Sequence, residues 1–97
     1  MAIRILYSGF ISEITGRLHE ELNVDESKDK LTVSKLLKIL SKKYGPRFRS
    51  EVYDPDKDEL KQNIIVLLNG VNVTNNLNVE VKEGSYVTLM PPVSGGM

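Results

Sequence analysis

The sequence predicts an α+β fold, a mixed sheet of four to five strands with one main helix packed on one face. Three observations carry this. Short segments of period 2 open and close the chain, a run of apolar residues at spacings of three and four lies between them, and an Asn-Gly pair follows a nearly continuous apolar segment. The 97 residues, 40% of them hydrophobic and without a low-complexity run, suffice for one compact domain over 1–90, followed by a tail over 91–97.

In the opening MAIRILYSGF, Ile3, Ile5 and Tyr7 fall on one face and Arg4, Leu6 and Ser8 on the other, as in a strand. Gly9 and Gly16 bracket a loop. Leu18, Leu22 and Val24 share a parity, interrupted by Glu20, which predicts a second strand pairing back on the first. Residues 25–30, DESKDK, read as a charged turn. Thr32 then stands as N-cap to a helix whose apolar stripe is Val33, Leu36, Leu37, Leu40 and Tyr44. Lys35, Lys38, Lys42 and Lys43 lie mainly off that stripe, and Gly45-Pro46 ends the helix.

Residues 47–62, RFRSEVYDPDKDELKQ, show no clean period and read as a loop insertion with at most a helical turn. IIVLL at 64–68 reads as a strand covered on both sides, Asn69-Gly70 as a hairpin turn, and residues 71–73 as the return. A KEGS turn leads into the last strand, YVTLM, where Val87 and Leu89 alternate with Tyr86, Thr88 and Met90. This strand is expected to pair in parallel with the first and to run directly into PPVSGGM.

Thirteen basic and thirteen acidic residues cancel, so the broad positive field of a nonspecific nucleic-acid binder is missing. The alternating start is unlike a secretory leader, and no stretch approaches a membrane span, which predicts a cytoplasmic protein with neither nucleic acid nor membrane as partner. With zero cysteines the chain has no disulfide, thiolate metal site or thiol nucleophile. Asn72 heads a glycosylation-like NVT that has no signal peptide to give it meaning.

The acidic stretch from Asp54 resembles a calcium loop only at its start: position six is Glu59 where glycine is needed, and position twelve is Ile65 where a bidentate glutamate is needed. His19, the sole histidine, stands on the polar side of a strand without a serine or cysteine to serve. NGVN lacks the lysine and the following helix of a phosphate loop. Nothing assembles a nucleophile, a base and an oxyanion site, so no metal site and no catalytic residue of the chain's own is expected.

That leaves the arm. Pro91 and Pro92 favour an extended exit from the last strand, and Gly95 and Gly96 have no Cβ to crowd a narrow site. Met90, Pro91, Pro92, Val93, Ser94, Gly95 and Gly96 are therefore the expected tail and partner-binding residues, with the apolar surface near the root, Met90 to Val93, left partly exposed.

MAIRILYSGF, EITG, LTVSKLLKILSKKYG, VLLNG and VKEGSYVTLMPPVSGG, in that order, resemble the MoaD branch of the ubiquitin-like sulfur carriers, relatives of ThiS and of the small archaeal modifier proteins. The likeness spans almost the whole chain, and PPVSGG is its most specific part. It implies a β-grasp, and a carrier whose Gly96 carboxylate is adenylated by an E1-like enzyme of MoeB/ThiF type, then converted to a thiocarboxylate with sulfur from a donor. It further implies a MoaE-like large subunit, with which this chain would form a molybdopterin synthase in molybdenum cofactor biosynthesis. The chain then binds no permanent cofactor, and ATP is used by the activating partner. In the modifier branch the same glycine is joined to target lysines. Two departures stand out: Gly84-Ser85 replaces the family's frequent Gly-Asp, and Met97 follows Gly96, so a trimming peptidase must remove it before activation. Without that removal the chain reads as a β-grasp interaction module that is not activated.

Overall fold

The computed structural model describes residues 1–25 and 30–92. In chain order the elements are β1 (Ala2–Tyr7), α1 (Phe10–Thr15), β2 (His19–Asn23), α2 (Val33–Tyr44), α3 (Pro46–Glu51), β3 (Tyr53–Asp54), β4 (Glu59–Leu60), β5 (Ile65–Leu68), β6 (Val71–Asn72) and β7 (Tyr86–Met90). Five strands form a mixed sheet ordered β2-β1-β7-β5-β6, and β3 and β4 make a separate two-stranded ribbon. As expected from the order of the elements, β1 and β7 are parallel neighbours, from Arg4↔Tyr86 to Tyr7↔Leu89. The β-grasp architecture is thus present, with β7 in the middle of the sheet.

Helix α2 starts where Thr32, in extended conformation, accepts the Lys35 N–H, and ends at Gly45, whose φ is 85. Its stripe Val33, Leu36, Leu37 and Leu40 is fully buried with Ile3, Ile5, Val66, Val87 and Leu89 of the sheet. The β5–β6 turn has positive φ at both Asn69 (51) and Gly70 (84), the combination of a type I′ hairpin.

Four expectations need correction. The bracketed stretch after Gly9 is a helix, α1, too short to show a period. Residues 47–62 are not a surface loop: they contain α3, β3 and β4, and Phe48, Val52 and Tyr53 are fully buried. Ile65 and Leu67 of β5 are only half-buried, so that strand is covered on its helix side alone. Leu18 precedes β2 and is 69% exposed. The charged turn at 25–30 lies largely outside the described residues.

The break at Glu20 has a physical account. Glu20 occupies an inward position of β2, opposite Ile5, and its side chain is only 2% exposed. Its carboxylate accepts hydrogen bonds from the hydroxyls of Tyr7 and Tyr44, and Lys43 Nζ lies 2.7 Å away. Burial alone would favour the protonated acid, but the bonds from Lys43, Tyr44 and Tyr7 outweigh it and hold the Glu20 pKa below the usual carboxylate value. Burial, reinforced by the Glu20 carboxylate, pushes Tyr7 far up and Tyr44 up to about 12.

A carboxyl whose pKa falls on folding binds its proton more readily in the unfolded chain, so acid favours unfolding. Stability from Glu20 is therefore present above its unfolded value near 4.5 and is lost as pH falls through the lower folded value. Glu20→Gln is expected to cost about 2 kcal/mol at neutral pH and to flatten the acid limb of a urea-midpoint profile. Superimposable acid limbs for parent and variant would show that the cluster carries no such linkage.

Candidate functional site

The arm leaves from the central strand of the sheet. β7 is bonded on one side to β1 and on the other to β5, with Ile65↔Met90 as the last pair, and the Ser8 N–H donates to the Leu89 carbonyl at 3.1 Å. The β5 ladder therefore runs to Met90, the last residue before the prolines, and the β1 ladder to Leu89. Beneath this end, Tyr7, Glu20 and Tyr44 tie β1, β2 and the C-terminus of α2 together. Pro91 is half-buried against Gly9, and Pro92 is exposed.

On the sheet face away from the helices, strand parity and register bring apolar side chains together near this root. Leu6 and Leu67 flank Thr88, while Ile65 stands beside Met90, and Leu6, Ile65, Leu67 and Met90 are all half-buried. Of the expected partner-binding residues, the structure thus places Met90, Pro91 and Pro92 at one corner. Val93, Ser94, Gly95, Gly96 and Met97 lie outside the described residues. Sequence reasoning missed Leu6, Ile65 and Leu67. Their parity in two strands was available, but IIVLL read as a segment buried on both sides.

The acidic stretch has structural employment. Asp54 Oδ1 accepts from the Asp56 N–H at 2.9 Å, closing its own turn, and Asp58 accepts from the hydroxyls of Ser34 and Tyr53, which lower its pKa. These bonds fasten the β3–β4 ribbon to the start of α2. His19 lies exposed on β2. Among the described residues no group of three or more His, Asp or Glu side chains is placed to hold a metal, and no helix is long and apolar enough to cross a membrane.

What remains at the root is a rigid platform with a strip of apolar surface, suited to presenting an extended chain to another protein. The ThiS family model matches residues 5–96. The chain belongs to the ThiS family. The match runs from β1 through the whole sheet and takes in both glycines of the arm. No curated protein sequence matches the chain. Solved structures do. SAMP1 from Haloferax volcanii is 29% identical, with 99% of this chain and 100% of that chain covered and a TM-score of 0.79. A putative molybdopterin converting factor subunit 1 from Pyrococcus furiosus is 25% identical, with 96% and 99% covered and a TM-score of 0.74. Urm1 from Trypanosoma brucei, 17% identical with 98% and 95% covered, shares the fold at a TM-score of 0.76.

For this ThiS-family chain the shared fold accounts for the central β7. Pro91 follows a middle strand paired on both sides, whereas an edge strand, with one free side, would hold that position less firmly.

Proposed function

We propose that this chain is a sulfur carrier and the small subunit of a molybdopterin synthase, and that its Gly96, once Met97 has been removed, is adenylated and then thiocarboxylated. The observation that carries this reading is the extent of the family match, which reaches residue 96 and so includes Gly95 and Gly96 while stopping short of Met97. The Pyrococcus furiosus structure, a putative molybdopterin converting factor subunit 1, supports the molybdenum cofactor branch.

The chemistry follows from a poor acyl donor. A carboxylate resists attack by a nucleophile, so an oxygen of Gly96 first displaces pyrophosphate from the α-phosphorus of ATP, giving an acyl-adenylate. Sulfur from a donor then displaces AMP. The chain contributes reach and a terminus without a Cβ; the activating enzyme contributes the ATP site and the catalytic groups. A MoaE-like large subunit then receives the carrier, with the strip of Leu6, Ile65, Leu67 and Met90 as its docking surface.

A second reading is favoured by one observation: the neighbour from Haloferax volcanii, a small archaeal modifier protein, is 29% identical in one structure and 27% in another. In that reading a lysine amine displaces AMP, and Gly96 ends in an isopeptide bond.

The intact mass of the protein isolated gently from its native cells tests the proposal. A species ending at Gly96 with sulfur in place of one carboxylate oxygen is the expected result. Lysine-linked conjugates through Gly96 without such a species favour the modifier, and a population that wholly retains Met97 overturns both.

A further inference from the structure

Gly9 and the ring of Pro91 meet where the arm leaves the sheet. The backbone of Gly9 has φ 57 and ψ −138, a combination that residues with a Cβ seldom adopt. A methyl group placed on its Cα would lie 2.7 Å from Cγ of Pro91 and 3.3 Å from Cδ. A proline ring can retreat only by changing its pucker, which moves Cγ but leaves Cδ tied to a backbone nitrogen of nearly fixed φ, so full relief of the clash requires the main chain to move.

Both partners are anchored close to the contact. The Gly9 carbonyl accepts the Ser12 N–H at 3.1 Å and the Ser12 hydroxyl at 2.7 Å, which ties it into α1. Pro91 follows a strand paired with β1 as far as Leu89 and with β5 as far as Met90. Gly45 offers a contrast, with a similar backbone (φ 85, ψ −157) and no atom within 4 Å of the place a Cβ would take.

We infer that Gly9 is a positioning residue of the arm: its bare Cα seats the Pro91 ring, and this seat sets the line along which the chain passes through Pro92 toward Gly95 and Gly96. The inference rests on the reading of the arm as an acyl carrier that threads into a partner's site. Pro92, with its own fixed φ, carries the orientation one residue further. An arm leaving along another line threads less readily but reacts normally once bound, so the effect falls on KM more than on kcat.

The test compares Gly9→Ala, Pro91→Gly and Gly45→Ala in the chain with Met97 removed. The chain has no cysteine, so a single nitroxide on exposed Glu13→Cys in α1 can report arm position through paramagnetic broadening of the amides of Val93 to Gly96. Activation is read as ATP–pyrophosphate exchange with a ThiF-type adenylating enzyme. Gly9→Ala and Pro91→Gly are expected to change the broadening about twofold or more and to raise KM for the carrier about tenfold, with kcat held within about twofold. Gly45→Ala, matched in backbone strain, should change neither. Unaltered broadening and KM in Gly9→Ala, or equal effects from Gly45→Ala, would overturn the inference. Should Gly9→Ala not fold, Pro91→Gly leaves the Gly9 backbone untouched, and unchanged broadening there overturns the seat by itself. A parent chain that supports no exchange at all refutes the carrier reading, while the broadening still decides the seat.

Discussion

A chain ending at Ser94 is expected to lose ATP-dependent activation, showing at least about a thousandfold less pyrophosphate exchange than the chain ending at Gly96, while its thermal midpoint stays within about 2 °C of that chain's. The two halves of this expectation come from different parts of the molecule. Every fully buried apolar residue among those described lies at or before Leu89, so among the described residues the core is built without Pro91 and Pro92. The acyl group, by contrast, belongs to one residue, and shortening the chain by two glycines withdraws the carboxylate by up to about 7 Å from the position a partner's nucleotide site would require. Exchange measured on chains ending at Ser94, Gly96 and Met97 separates the cases. Only the chain ending at Gly96 should be active. Equal activity in all three would place the reacting group elsewhere, and a large fall in midpoint for the chain ending at Ser94 would mean that the arm is part of the folded body.

On the proposed reading the chain supplies the acyl end and its partner supplies the catalytic groups. A carrier that reacts inside another protein gains from a rigid exit, and the ladders of β7 run to Leu89 on the β1 side and to Met90 on the β5 side. It also gains from a surface that partners can share. The strip of Leu6, Ile65, Leu67 and Met90 lies beside the root, so a partner docked there has the arm already within reach, which lowers the entropic cost of threading. The acyl-adenylate is common to the carrier and modifier readings, and they diverge only in the nucleophile that follows.

Much of this was legible in the residues, and the parts that were not share a cause. Alternation in 3–7 and 86–90 and the period of 33–44 identify the two central strands and the main helix, because long regular elements repeat their signal several times. Asn69-Gly70 identifies a turn because few residues tolerate two positive φ angles in succession. By contrast, α1 and α3 each last fewer than two turns, and β3 and β4 are two residues long, so none can show a period. Glu20 broke the alternation of β2 because a carboxylate occupies a core position, supported by two tyrosines and a lysine that arrive from distant parts of the chain. The role of Pro91 as the start of the arm was visible; the seat it finds on Gly9 needed the fold, because 82 positions separate the two residues and nothing local connects them.

The strongest test of the corrected region is Phe48→Ala, expected to lower stability by about 3–5 kcal/mol in urea unfolding. Phe48 is fully buried, and its ring stacks on that of Tyr44 at a centroid distance of 6.1 Å and an interplanar angle of 29°. Tyr44 in turn meets Tyr7 edge to face at 6.1 Å, so the ring of Phe48 ends a row of three aromatics reaching from α3 to β1. Truncation would leave a cavity against Tyr44 whose walls are held by the Glu20 hydrogen bonds and relax poorly, which puts the cost toward the upper part of the range. An aromatic residue in an exposed loop, the reading that the sequence of 47–62 favours, would instead cost less than about 0.5 kcal/mol on truncation. A measured loss below about 1 kcal/mol would therefore return this segment to the surface. A loss in the expected range should leave pyrophosphate exchange close to the parent's wherever the variant is folded, because Phe48 supports the platform from the helix side of the sheet and the arm leaves from its end.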